Sequence, residues 1–145
     1  MALTNDAEKA TLDWLTGQGA TNGPAGTPPT PPTMPLKVRL CTSIPSDTAA
    51  GTEVVNSGGS TYAAQNVAFG AANASTGQTS NTGLVRFDNM PDTAQSGQGT
   101  VKAFEIWDSA GTPKRWWWAT LTAERSYQLG DAAEFPIGQL VLAME

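Results

Sequence analysis

From residue 36 onward, apolar residues recur at every second position, as in β-strands with one buried face. Leu36, Val38 and Leu40 alternate with Lys37 and Arg39 in the first such run. Similar runs predict strands at 61–69, 83–88, 100–107, 114–122, 125–129 and 134–144, with turn signals between them. This spacing predicts a mainly β chain whose residues 36–145 form an antiparallel β-sandwich of about seven or eight strands.

The inward-facing positions of these runs predict the hydrophobic core. They are Leu36, Val38, Leu40, Val67, Phe69, Leu84, Phe104, Ile106, Leu121, Phe135 and Leu140. The segments 55–60 and 70–83 are rich in Gly, Ser and Asn, and they are predicted to be exposed loops.

The first 35 residues follow a different pattern. Residues 4–16 predict a short helix, with Asn5 and Glu8 spaced as in a capping box and an apolar stripe that includes Trp14. Residues 1–17 are therefore assigned to an N-terminal helix, and residues 18–35 to a Pro/Gly-rich linker arm that contains six of the ten prolines. The arm could be a disordered hinge or an extended polyproline segment laid along a partner.

Composition and charge exclude several classes of function. Hydrophobic residues make up 39% of the 145 residues and charged residues 14%, and the net charge is −5. An acidic chain with eight Lys and Arg residues does not favour a phosphate-binding surface, so no nucleic-acid partner is expected. No segment is long and apolar enough to predict a membrane span, and the first residues do not resemble a signal peptide.

The chemistry of the side chains argues against catalysis. There is no histidine, and the single cysteine, Cys41, allows no internal disulfide or thiolate cluster. The carboxylates near predicted turns, among them Glu105 and Asp108, are expected to be solvated. The 88–92 segment carries oxygen ligands at short spacing, but a turn capped by Asp and Asn is favoured over a calcium loop. We therefore predict no enzymatic activity, no catalytic residue, no metal and no cofactor.

The run of three tryptophans at 116–118 is the most unusual local feature. Alternation along a strand places Trp116 and Trp118 on one face and Trp117 on the other. These rings could pack the core and its rim, form a protein interface or offer a carbohydrate platform. The predicted partner-binding residues combine this run with the N-terminal helix and arm: Leu3, Ala7, Trp14, Leu15, Pro28, Pro29, Pro31, Pro32, Trp116, Trp117 and Trp118.

An ordered set of motifs covers about three quarters of the chain. The set is LKVRLCT at 36–42, GTEV at 51–54, GGSTYAAQNVAF at 58–69, SNT at 80–82, GTVKAFEIWD at 99–108, WATLT at 118–122 and GD at 130–131. It resembles small virion structural proteins of tailed bacteriophages, a β-sandwich family labelled as head-decoration or tail-fibre proteins. Ala64 stands where that family often has Arg, and the Pro-rich arm is longer than usual. The resemblance implies a structural role and assigns no catalytic residue.

These observations predict a virion protein that is synthesised in the host bacterial cytoplasm. The first hypothesis is a capsid decoration or cementing subunit (a minor capsid protein) on the outer surface of the head, with the major capsid protein and neighbouring copies of itself as partners. Small size and net acidity favour that position. The alternatives are a small tail or tail-fibre component with a host-binding role, and a carbohydrate-binding module.

Overall fold

The computed structural model describes residues 2–5, 8, 9, 11, 12, 16 and 31–143. Within these residues the chain forms nine strands, and every strand pair is antiparallel. In chain order they are β1 Ala2–Leu3, β2 Leu36–Cys41, β3 Gln65–Val67, β4 Gln78–Ser80, β5 Val85–Phe87, β6 Val101–Trp107, β7 Arg115–Arg125, β8 Ala133–Phe135 and β9 Val141–Ala143. The predicted mainly β, antiparallel fold is confirmed.

Five of these strands form one sheet in the order β1-β7-β6-β2-β3, and the others form the ladders β4–β9 and β5–β8. The β5–β8 ladder packs on the large sheet through aromatic rings. Phe135 lies 5.1 Å from Phe104 of β6 and 6.4 Å from Phe87 of β5, measured between ring centroids. This layering is compatible with the predicted sandwich, although two short ladders replace a continuous second sheet.

Most of the predicted core is buried between these layers. Leu36, Val38, Leu40, Val67, Phe104, Ile106 and Leu140 are buried, and Phe69, Leu121 and Phe135 pack on them half-exposed. Leu84 is the exception, because 53% of it is exposed, so this core assignment is wrong. In β5 the buried residues are Val85 and Phe87, on either side of exposed Arg86.

Two predicted strands have different bounds, and a further strand lies in a predicted loop. Only Gln65–Val67 of the 61–69 run is a strand. Tyr62 instead stacks on Phe87, and its hydroxyl accepts a hydrogen bond from the N–H of Leu40. β4 lies within the predicted loop 70–83, where it pairs with β9. The run 114–122 extends to Arg125 as β7, so the separate strand predicted at 125–129 is wrong.

The predicted last strand, 134–144, is divided into β8 and β9. Pro136 has no N–H for a ladder, and Gly138 has a positive φ of 80°. The buried side chain of Asn81 holds the connection. Its amide donates to the carbonyl of Pro136 at 3.0 Å, and its oxygen accepts the N–H of Leu140 at 2.9 Å.

The N-terminal segment is partly described. Asn5, Glu8, Lys9, Thr11 and Leu12 have helical conformation, and the other positions between 4 and 16 lie outside the described residues. The helix as a whole therefore stays a prediction. No helix among the described residues is long and apolar enough to cross a lipid bilayer.

Candidate functional site

A buried ion pair lies on the face of the large sheet opposite the core. The carboxylate of Glu105 accepts hydrogen bonds from the guanidinium of Arg115 at 2.9 Å, the N–H of Gly51 at 2.8 Å and the indole of Trp107 at 2.8 Å. Only 2% of the Glu105 side chain and 8% of the Arg115 side chain are exposed. Three donors offset the cost of burying this carboxylate. The expectation that Glu105 and Asp108 are solvated is therefore wrong, because both residues are buried.

Arg115 also fixes the loop that covers this face. Its guanidinium donates to the carbonyls of Ser46, Asp47 and Ala49. The loop approaches the sheet so closely that a Cβ on Gly51 would lie 2.9 Å from the Cβ of Cys41. The Arg115–Glu105 pair therefore orders the 46–51 loop against β2 and β6.

The same loop covers Cys41. Burial, reinforced by the carboxylates of Glu105 and Glu53, raises the pKa of the Cys41 thiol. A buried thiol held in its neutral form is not nucleophilic. Cys41 is thus a small buried residue of β2.

The three consecutive tryptophans are all half-buried. Trp117 packs against the core. The indole N–H of Trp118 donates to Asp47 at 3.0 Å, and that of Trp116 donates to Asp108 at 3.2 Å. Carboxylates thus fix two of the rings, and a partner-binding role for the run stays a prediction.

Asp108 organises the turn between β6 and β7. Burial raises the pKa of its carboxyl, but hydrogen bonds from the N–H of Lys114, the indole of Trp116 and the N–H of Ala110 outweigh burial, so the pKa is lowered overall. The neighbouring Ser109 bonds the carbonyls of Thr33 and Pro35. The end of the predicted arm is therefore attached to this turn.

The lowered pKa of Asp108 predicts that the fold loses part of its stability in acid. A carboxyl with a depressed pKa stabilises the fold above its unfolded pKa, and this stability is lost as the pH falls through the folded pKa. We expect the stability advantage of the wild type over Asp108→Asn to be largest near pH 7 and to shrink steadily below about pH 4. Thermal melts of both proteins across this range measure it. A constant difference at all pH values would contradict the assignment.

Strand β1 covers the outer edge of β7. Ala2 and Leu3 pair with Trp118 and Trp117, and the N–H of the buried Thr4 donates to the carbonyl of Trp116 at 3.1 Å. The N-terminus therefore folds back onto its own sheet through a strand that the sequence analysis does not predict. A strand of two residues is too short to show the alternation by which strands are recognised in a sequence.

The remaining predicted partner-binding residues stay predictions. The backbone of Leu3 lies in β1, Pro31 is exposed and Pro32 is half-buried. Ala7, Trp14, Leu15, Pro28 and Pro29 lie outside the described residues.

Two concave surfaces lie away from the tryptophans. A groove of about 540 Å³ between β3 and β5 is bordered by the exposed side chains of Met34 and Leu84. A second hollow of about 330 Å³, here called the β7–β8 cavity, lies between β7 and β8 and includes Leu121, Tyr127 and Phe135. Burial raises the pKa of Tyr127, and the nearby Arg125 guanidinium opposes that rise. The sequence analysis identifies neither surface, because each joins residues distant in the chain.

The side-chain carboxylates of the segment 88–92 accept hydrogen bonds from neighbouring residues. Asp88 accepts a hydrogen bond from Arg86 at 2.6 Å, and Asp92 accepts the N–H of Gln95 at 2.8 Å. Asn89 has a positive φ of 49° and donates to Thr61. Among the described residues, no three or more Asp, Glu, His or Cys side chains are grouped as a metal site would require. The absence of a bound metal stays an expectation.

Comparison with curated proteins finds no similar sequence. A model of the family described as "Podophage GP4 fiber I protein gp80" matches residues 2–143. The match covers nearly the whole chain, including β1 and every strand of the three sheets. The chain therefore belongs to the podophage GP4 fiber I protein gp80 family, and it is a structural component of a phage virion.

Proposed function

We propose that the protein is a structural subunit of a podophage tail fibre. The match to a fibre family over residues 2–143 carries this proposal. It favours the tail-fibre alternative over the capsid decoration role that the sequence analysis places first. Small size and net acidity, which suggested the head, are compatible with either position on a particle.

The described contacts support a rigid subunit with its attachment elements at one end. The β6–β7 turn bonds Thr33 through Ser109, while Thr4 bonds the carbonyls of Arg115 and Trp116 just after this turn. Thr4 and Thr33, which flank the 5–32 segment, are thus both hydrogen-bonded close to the half-buried tryptophans. Of the predicted partner-binding residues, this end carries the tryptophan run and the backbone of Leu3, which pairs with Trp117. We propose that it contacts neighbouring copies and other tail proteins.

We also propose that the protein has no enzymatic activity. Glu105, the most deeply buried carboxylate among the described residues, is paired with Arg115 and hydrogen-bonded by backbone and indole donors. Its interactions order a loop, and its oxygens are already engaged by these donors. This arrangement supports a mechanical role for the ion pair.

The location of the protein on the particle tests the proposal. Gold-labelled antibody against the folded protein should bind purified particles at the tail, and quantitative mass spectrometry should find far fewer copies than of the major capsid protein. An antibody against the major capsid protein is the positive control for the head. Label spread over the whole head, at a copy number comparable to that of the capsid protein, would contradict the tail-fibre role and restore capsid decoration.

A further inference from the structure

The β7–β8 cavity has an apolar interior that opens at the surface. Leu40, Ala133 and Pro136 line it together with the half-buried Leu121 and Phe135. Its volume of about 330 Å³ is at the lower end of the range for small-ligand pockets, and it can accept one large apolar side chain.

An irregular stretch of β7 forms one wall of this cavity. Ala103 pairs with Thr120 and Val101 pairs with Arg125, so residues 121–124 of β7 lie opposite Lys102 alone. Extra residues in one strand bend it and redirect its side chains, and such bulges are frequent beside binding sites. Leu121 and Arg125, at the ends of the irregular stretch, both border the cavity.

The charges at the rim favour an acidic partner. Arg125 is exposed, and its guanidinium forms no ion pair within the described part of the chain. Glu134, also at the rim, is paired with Arg86, which reduces its repulsion of an incoming carboxylate. Besides burial, the charge of Asp131 raises the pKa of Tyr127, and the Asp131 carboxylate accepts the N–H of Gln128 at 2.8 Å. Asp131 is the one acid near the cavity that no cation among the described residues pairs. The exposed guanidinium of Arg125, which no carboxylate of the described residues pairs, therefore borders an apolar hollow.

We propose that the β7–β8 cavity binds a segment of another virion protein that presents a large apolar side chain next to a carboxylate. The apolar side chain enters the cavity between Leu121 and Phe135, and the carboxylate pairs with Arg125. Anchor residues seated in such pockets dominate the binding energy of protein interfaces. The proposal rests on the proposed function only in taking the partner to be a virion protein.

Blocked tetrapeptides test this directly on the full-length protein. The probe is acetyl-Gly-Phe-Asp-Gly-amide, titrated into isotope-labelled protein while amide NMR signals are followed. We expect saturable shifts at Leu121, Tyr127 and Phe135 with a Kd of about 1–5 mM, as is usual for a ligand with one anchor. Replacing the aspartate of the peptide with asparagine, or its phenylalanine with alanine, should weaken binding about fivefold or more.

Two variants of the protein complete the test. Arg125→Gln should weaken binding of the Phe-Asp peptide about fivefold, because the aspartate of the peptide loses its cationic partner. Binding of the Phe-Asn peptide, which has no carboxylate at this position, should be unchanged. Lys114→Gln removes an exposed cation at the β6–β7 turn and should leave both peptides unaffected. Equal binding of the Phe-Asp peptide to wild type and Arg125→Gln, or no saturable shift at these residues, would overturn the proposal. Neither result would alter the particle-labelling outcome, so failure of this proposal is distinct from failure of the proposed function.

Discussion

Replacing Glu105 with alanine is expected to lower the free energy of unfolding by about 3–5 kcal/mol, because the buried Arg115 guanidinium loses its counter-charge. The side chains are 2% and 8% exposed, so bulk water does not screen the charge of the guanidinium. The N–H of Gly51 and the indole N–H of Trp107 lose their acceptor as well. Urea denaturation of the full-length protein measures the change.

A double variant distinguishes the energy of the Glu105–Arg115 ion pair from the other effects of each substitution. Glu105→Leu combined with Arg115→Met removes both charges, so its loss of stability should be smaller than the sum of the losses in the two single variants, Glu105→Leu and Arg115→Met. Amide hydrogen exchange at Gly51 should be faster in Glu105→Ala and in the double variant, because the 46–51 loop loses its hydrogen bonds to these side chains. Losses that simply add would show that an unpaired Arg115 is not the source of the instability in the Glu105 variants.

Phe87→Ala should lower the free energy of unfolding by about 3–5 kcal/mol, because it leaves a large cavity in the core. Phe87 is fully buried, and its ring stacks on Tyr62 at a centroid distance of 5.6 Å and meets the edge of Phe135. The loss removes contacts that join β5 to β8 and to the large sheet. The same urea denaturation measures this loss.

Leu84→Ala provides the matched control in the same segment. Leu84 is 53% exposed, so its truncation should change the free energy of unfolding by no more than about 0.5 kcal/mol. If Leu84→Ala were the more damaging of the two substitutions, β5 would face the opposite way.

The strands with the longest alternation were predictable from the chain alone. In β2, Leu36, Val38 and Leu40 are all buried, and Phe104 and Ile106 of β6 face them across the ladder. Period-two burial is a local property, because adjacent side chains of a strand must point to opposite faces. The antiparallel class followed from the same pattern, whereas the resemblance to phage virion proteins rested on the ordered set of motifs.

Short segments were less predictable, because the face that they bury depends on the residues they pack against. In 83–88, Leu84, Val85 and Phe87 are all apolar, and a shift of one residue exchanges the two faces of a strand. Stacking of Phe87 on Tyr62 selects the register that exposes Leu84. β1 and β4 were missed because each is short and stabilised by a strand distant in sequence.

The tryptophan run stood out in the sequence, but the polar contacts around it did not. Arg115 meets Glu105 across a hairpin, and it meets the carbonyls of the 46–51 loop more than 60 positions away in the chain. The β7–β8 cavity likewise requires the irregular pairing of β7 with β6 and the separate position of β8. The sequence alone determined the strand class, most of the core and the phage structural family, because these depend on local periodicity and ordered motifs. Tertiary structure decided which carboxylate is buried, which face of β5 points inward and where the cavity opens, because packing between distant segments sets each of these.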